Sequence, residues 1–488
     1  MFYKSIKKLR KNKIFLASTI YLFFSLLTQG VNLFYTPLLT RNLTQEDYGI
    51  YSLLYSIEGI LSLLLLICIP SGYSRFYNEI DNKRDYENTI FNFLVLFGAC
   101  ILIIIYIIAD KIPNSFLVNI SDRKKYIFLI AISSYATGLI SLLTIKYSME
   151  FKAFKASTIS FGQIFIQFIG LFLMIRIKIF NLTNIFYLKS LVPIFIFLIV
   201  FLVNVKNYRL KINRKYLCVT LSFSSGLILG QISTWVLALI DRQFINSYSG
   251  LEKVAIYSLA ARIGMLINPV FIDPLRRIFT PIKFKVYDKK DGKKVILNYY
   301  KLYCFLGGFI LLGMSIYSKT AIKILATEEY MKAIYIIPII GISYFFWGLN
   351  EFYAVGVVIG NKSILNSFIA FSAAFINIIG NIFLIPIIGI YGAAISSIIS
   401  YFITNELYYK FGKKYYFINF NRLEWIKFLT IYILFLFIYI YVCEKTQFNI
   451  YIEGFINIGY LIGYVIVNIV LKFIDMNLIR EIRENEVV

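Results

Sequence analysis

Apolar residues run in near-continuous stretches of about twenty along most of the chain, separated by short polar hairpins. A stretch of that length spans the hydrocarbon core of a bilayer as one helix. The stretches are continuous and do not alternate in period two, which argues against β-barrel strands. The pattern predicts 14 spans, at 14–38, 49–72, 88–109, 126–147, 155–175, 183–204, 216–240, 254–275, 299–318, 334–359, 364–384, 388–408, 425–443 and 453–473. The predicted fold class is all-α: a polytopic membrane protein with about 14 transmembrane helices.

The stretches are related to one another. "IYSLLYSI" (Ile50–Ile57) aligns with "IYSLAARI" (Ile256–Ile263), and Thr40-Arg41 with Asp241-Arg242, with one short insertion in the second copy. Spans 1–2 thus correspond to spans 7–8 in the same orientation, a parallel repeat with its pseudo-two-fold along the membrane normal. The expected division is an N-terminal lobe (1–215, spans 1–6), a C-terminal lobe (216–410, spans 7–12), and a C-terminal helix pair with its tail (411–488). The two six-helix lobes are expected to be pseudo-symmetric.

Charge sets the orientation. An even number of spans places both termini on one side, and Lys and Arg concentrate in the segments that share the side of the N-terminus. The positive-inside rule makes that side cytoplasmic. The loop Asp110–Tyr126 dissents, since it carries Arg123, Lys124 and Lys125 yet is expected outside. The formal net charge of +24 therefore reads as topology and attraction to an anionic leaflet, not as a nucleic-acid surface. The first 13 residues are basic, but no cleavage site follows them, so no removable signal peptide is expected.

Composition removes several chemistries. There is no histidine, and the five cysteines stand far apart without a metal-ligand spacing, so no metal and no cofactor is expected. No GxxxxGK[ST] phosphate loop occurs, and no nucleophile–base pair is evident. The expectation is a transporter and not an enzyme; the sequence leaves open whether a coupling ion, H+ or Na+, takes part.

The polar residues inside the spans carry the candidate site. Ser25, Gln29, Asn32 and Thr36 share a stripe on span 1, and Tyr51, Tyr55, Glu58 and Ser62 share one on span 2. Span 7 carries Ser224, Gln231, Thr234 and Asp241, and span 8 carries Ser258, Arg262 and Asp273. Serines and threonines in such stripes serve well enough as glue between helices. A charge in the bilayer is costly and marks a functional path. Glu58 and Arg262 are the foremost candidates, expected at similar depth as a pair that gates the external side. Gln29, Asn32 and Gln231 are candidate cavity residues. Arg75 and Arg276 close spans 2 and 8 as candidate anion contacts at the cytoplasmic mouth, and Glu351 on span 10 is expected to face the interior.

"LTRNLTQEDYGIYSLL" (Leu39–Leu54), "SGYSRFYNE" (Ser71–Glu79), "DRQFINSYSGLEKVAIYSLAARI" (Asp241–Ile263) and "NIFLIPIIGIYGAAISSIISY" (Asn381–Tyr401) together carry a resemblance. They are similar to the Wzx-type polysaccharide transporters of the multidrug/oligosaccharidyl-lipid/polysaccharide flippase superfamily. The resemblance extends over the whole chain. It implies transfer of an undecaprenyl-diphosphate-linked oligosaccharide repeat unit, of O-antigen or capsule, from the cytoplasmic to the external leaflet of the bacterial plasma membrane by alternating access. It implies polysaccharide polymerase and glycosyltransferases as neighbours in the pathway. The family's basic cavity is thinly represented, chiefly by Arg262, with Arg75, Arg276 and Lys146 near the mouth. A cation-coupled drug antiporter and a lipid II flippase of the same superfamily are the alternatives. A membrane polymerase or glycosyltransferase is the alternative from another class, and it would need a sizeable external loop that the hydropathy pattern does not provide.

Overall fold

The computed structural model describes residues 2–111, 120, 122–204, 209–445 and 450–473, with side chains left undescribed at 2–15, 18, 111, 363, 443–445 and 450–452. Every regular element among them is helical. The chain resolves into two compact units, one of 1–235 with 250–255 and one of 236–249 with 256–488. Thirteen described helical stretches are long and apolar enough to cross a membrane, by length and composition. The protein is a multi-pass membrane protein.

The first unit contains α1 (Phe2–Asn42), α2 (Gln45–Leu66), α3 (Ile69–Phe76), α4 (Lys83–Ile108), α5 (Arg123–Met149), α6 (Ala153–Arg176), α7 (Leu182–Asn204) and most of α8 (Arg214–Leu239). Thr44 caps α2 by accepting a hydrogen bond from the Asp47 amide at 3.1 Å, and Glu46 and Asp47 complement the helix dipole in the first turn. That explains why "LTQEDYG" turns so tightly between two spans. α5 is the hub, in contact with α2, α3, α4, α6 and α7, while α1 lies along α6. The predicted external loop Asp110–Tyr126 falls partly outside the described residues; Arg123, Lys124 and Lys125 begin α5.

Span 2 does not run to 72 as one helix. It breaks at Ile67 and Cys68, both with left-handed backbone (φ 45° and 55°), just before Pro70. A β-branched residue is rare in that region and costs free energy there. α3 is therefore a separate short helix, and Arg75 rides on it.

The second unit contains α9 (Asp241–Ser249), most of α10 (Leu251–Gly264), α11 (Asp273–Val286), α12 (Gly292–Ile316), α13 (Ser318–Leu325), α14 (Ile337–Tyr353), α15 (Val355–Ile359), α16 (Ser363–Ile388), α17 (Ile390–Gly412), α18 (Arg422–Lys445) and α19 (Ile450–Val470). Helix α9 opens on the repeat residues Asp241-Arg242 and runs into the segment that holds the insertion, with Asp241, Arg242, Gln243, Ile245 and Asn246 buried. Span 8 is also interrupted. Between α10 and α11 lies a π-helical turn, Asn268–Ile272, with Pro269 at its start and Pro274 opening α11. Proline removes a backbone donor and forces such a break. Arg262 sits on the last turn of α10, just before it.

The basic segment between predicted spans 8 and 9, a loop by the span pattern and including 276–295, is mostly helix: α11 runs to Val286 and α12 starts at Gly292. Its Phe279, Lys283 and Val286 are buried at helical spacing, an amphipathic pattern that the lysines disguise. α12 is the hub of this unit and packs against α11, α14, α18 and α19 around a core that includes Tyr300, Tyr303, Phe345, Phe352 and Phe428.

The expected span 388–408 exists as α17 but is not among the thirteen apolar stretches. Ser396, Ser397, Ser400, Thr404 and Asn405 are all buried on it. It packs on α14, α15 and α16, where protein and not lipid satisfies its polar groups.

Candidate functional site

Among the described residues, clusters of ionised or polar side chains lie within the helical layers of both units. In the first unit Glu58, on α2, forms an ion pair with Lys189 on α7: Lys189 Nζ lies 3.1 Å from Glu58 Oε2. The side chains are 24% and 11% exposed, so the pair is largely withdrawn from its surroundings. Lys189 Nζ also lies over the rings of Tyr51 (5.2 Å) and Tyr55 (5.0 Å), which stabilise a cation through their π faces. Ser133 of α5 donates to the Lys189 carbonyl at 2.9 Å, and Trp235 of α8 donates to the Ser56 carbonyl at 2.6 Å. The pair is thus braced by two other helices, α5 and α8.

Lys189 is a counter-ion that the sequence pattern does not single out. It is one cation inside "NIFYLKSLVP", and the burial argument that marks Glu58 applies to it equally. The burial problem of Glu58, expected to be met by Arg262, has a solution within the first unit. Arg262 itself is exposed on α10.

The second cluster of this unit joins α4 to α5. Lys146 Nζ lies 2.6 Å from Glu87 Oε2, each side chain only 14% exposed. Tyr77 donates to Glu87 at 2.9 Å, and burial together with Glu87 pushes its phenol above the ordinary range. Arg75 is exposed and pairs with Glu79 on the following turn. Gln29 and Gln231 are exposed, and Asn32 is half-buried.

In the second unit Arg276, Lys283 and Glu351 come together from α11 and α14. Arg276 Nε lies 2.6 Å from Glu351 Oε1, and Lys283 Nζ lies 3.6 Å from Glu351 Oε2. Arg276 also reaches Asp273 at 3.5 Å and stacks over Trp347 at 4.7 Å. Two candidates from the sequence, Arg276 and Glu351, therefore share one cluster. Lys283, buried beside them, is an addition.

The last cluster surrounds Asp241 at the start of α9. Its carboxylate accepts from Tyr257 Oη at 2.5 Å, from Asn381 Nδ2 at 2.8 Å and, more weakly, from Ser397 Oγ at 3.4 Å. Asn377 accepts from the same Asn381 amide at 3.2 Å. Burial pushes the Asp241 carboxyl above its ordinary range, against the pull of these donors and of neighbouring Arg242. Asn377 and Asn381, one turn apart on α16, and the adjacent pair Ser396-Ser397 are the sequence signal for this cluster. Among the described residues no group of three or more His, Cys, Asp or Glu side chains is placed to hold a metal ion.

The chain matches the family described as polysaccharide biosynthesis protein over residues 38–335. A curated relative, an uncharacterised membrane protein of Methanocaldococcus jannaschii, is 26% identical over 281 residues, which is 54% of this chain. The chain spans 55% of that relative's length, about half. Among solved structures, the lipid II flippase MurJ in an inward-closed conformation superposes with a TM-score of 0.74, at 17% identity, over 94% of this chain and 99% of that one. An inward-facing multidrug resistance MATE transporter of the MOP superfamily gives 0.63, at 14% identity, over 79% and 94%. At these identities the likeness shows the fold.

Proposed function

Because the chain belongs to the polysaccharide biosynthesis protein family, we propose that it flips an undecaprenyl-diphosphate-linked oligosaccharide from the cytoplasmic to the external leaflet of a bacterial plasma membrane. The observation that carries this reading is the family match across 38–335 on a flippase-type helical fold. A lipid-linked sugar has a tail at home in the bilayer and a head that needs polar surroundings to cross it. The ion clusters supply polarity inside the helical layers without charges left open to lipid.

On this reading Arg276 and Arg75 take up the diphosphate at the cytoplasmic side. Arginine suits that role because its planar fork binds phosphate oxygens two at a time. Glu351 holds Arg276 until the anion arrives. Glu58 and Arg262 lie on the path, together with the polar residues Gln29, Asn32 and Gln231. Asp241, buried among neutral donors, is the place where H+ or Na+ would couple to transport. No covalent chemistry is required of the protein. Glycosyltransferases act before it and a polymerase after it, and both termini face the cytoplasm.

The test is reconstitution. Proteoliposomes loaded with a fluorescent undecaprenyl-diphosphate disaccharide should move it between leaflets, read by an impermeant quencher. Liposomes that flip it no faster than protein-free controls, yet accumulate a cationic dye against a pH or sodium gradient, would instead establish the drug antiporter.

A further inference from the structure

A groove outside these clusters lies between α1, α5 and α6 of the first unit and encloses about 270 Å³. Its polar lining is entirely hydroxyl. Ser25 and Thr28 come from α1, Thr144 and Ser148 from α5, and Ser157 and Ser160 from α6. Among the described residues no ionisable acid or base lines it apart from the phenol of Tyr21, which donates to Ser148 Oγ at 2.9 Å.

Three of the six hydroxyls donate to backbone carbonyls of their own helices. Thr144 donates to the Ser141 carbonyl at 2.9 Å, Ser148 to the Thr144 carbonyl at 2.8 Å, and Ser160 to the Ala156 carbonyl at 3.2 Å. Their protons are therefore engaged, and what remains for a ligand is oxygen lone pairs, one of them on Ser148 already taken by the Tyr21 hydroxyl. Ser157 Oγ, in a residue 7% exposed, has no hydrogen-bond partner. A buried hydroxyl left unpaired costs free energy that a ligand would recover. Beside the hydroxyls stand Phe24 and Phe161, edge to face at 5.7 Å.

We propose that this groove binds a neutral, hydroxyl-rich ring, that is, one sugar residue. Sugar hydroxyls donate to the row of acceptors, and the apolar C–H face of the ring lies on the phenylalanines. An alkyl chain would leave Ser157 unpaired and the acceptor lone pairs unused, and an anion would meet acceptors with no cation among the described lining residues. The groove uses the last turns of α5 and the first turns of α6. With the N-terminus inside, this is the cytoplasmic end, where the head of a lipid-linked sugar first arrives. That placement rests on the flippase reading; the ligand chemistry does not.

The experiment uses the full chain in phosphatidylcholine nanodiscs and saturation-transfer NMR with glucose, galactose and N-acetylglucosamine as probes. Glycerol stands for a lipid headgroup and inorganic phosphate for the anion. Ring protons of at least one sugar should be saturated, glycerol and phosphate should not, and Ser160→Trp, which fills the mouth, should abolish the signal. Ser157→Ala removes one hydrogen bond and should weaken binding about fivefold; it keeps the test decisive should the tryptophan variant misfold. Saturation of no sugar, equal saturation of glycerol, or wild-type binding by both variants overturns the proposal. Wild-type protein that binds sugar but flips no lipid-linked disaccharide keeps the groove and removes the flippase reading. Protein that flips it but binds no sugar does the reverse.

Discussion

Glu58 and Lys189, 131 residues apart in the chain, meet at 3.1 Å within the first unit. The pair fixes α2 to α7 and explains how each ion is tolerated in an apolar span. Removing one partner of a largely buried pair typically costs about 3 kcal/mol or more, because the other charge is stranded. Lys189→Met and Glu58→Gln should each lower the apparent melting midpoint in detergent, and the double variant should recover most of the loss. Additive losses in the double-mutant cycle would show that the two side chains do not act together.

Glu351 holds two cations, Arg276 and Lys283. Glu351→Gln should destabilise the second unit by about 1.5–3 kcal/mol, the range for a hydrogen bond to a charged group. Arg276→Gln and Arg75→Gln should slow flipping in the proteoliposome assay while membrane insertion and yield stay at wild-type levels. Unchanged rates in both arginine variants would remove the recruitment role.

Asp241 gives a pH dependence of known sign. Burial raises its carboxyl above the unfolded value. The folded chain therefore holds the proton more tightly, and the stability that protonation contributes is complete below the unfolded pKa. It is lost as pH rises through the raised folded value. The apparent melting midpoint of the wild type should fall from about pH 4 upward relative to that of Asp241→Asn, which carries no titrating group there. Parallel curves for the two proteins would contradict this.

Gly356 opens a close approach between α15 and α17: a Cβ there would lie 2.3 Å from the Gly412 carbonyl oxygen. Backbone has little room to give, so Gly356→Ala should cost about 1–3 kcal/mol, as overpacking does. Chemical denaturation monitored by tryptophan fluorescence would measure it, and a variant as stable as wild type would show that the helices slide apart freely.

The spans were legible because an apolar run of bilayer length has few alternative readings. The charges inside them were legible only singly. Glu58 announces itself, but its partner comes from a helix far along the chain, and Lys189 is masked by the strongly apolar residues around it. Asp241 is similar: its partner Asn381 is 140 residues away, and an amide in a transmembrane run draws no notice alone. Boundaries failed where composition and periodicity disagree. The lysines of 276–295 read as a loop, while Phe279, Lys283 and Val286 face inward at helical spacing. The breaks at Ile67–Cys68 and Asn268–Ile272 depend on how neighbouring prolines are accommodated, which a hydropathy profile averages away.

α17 carries its serines, threonine and asparagine into the heart of the second unit, and that has a bearing on how the protein is made. A helix of this polarity gains little by partitioning alone from a translocation channel into lipid. It is joined to α16 by Gly389, whose backbone (φ 59°, ψ −138°) lies in a region essentially reserved for glycine. α16 is strongly apolar and packs along α17 over much of its length. The two are suited to enter the bilayer as one hairpin, the apolar arm carrying the polar one, with the buried serines and Asn377 meeting each other before either meets lipid. The tight turn at Gly389 is then a requirement of biogenesis as much as of the finished fold.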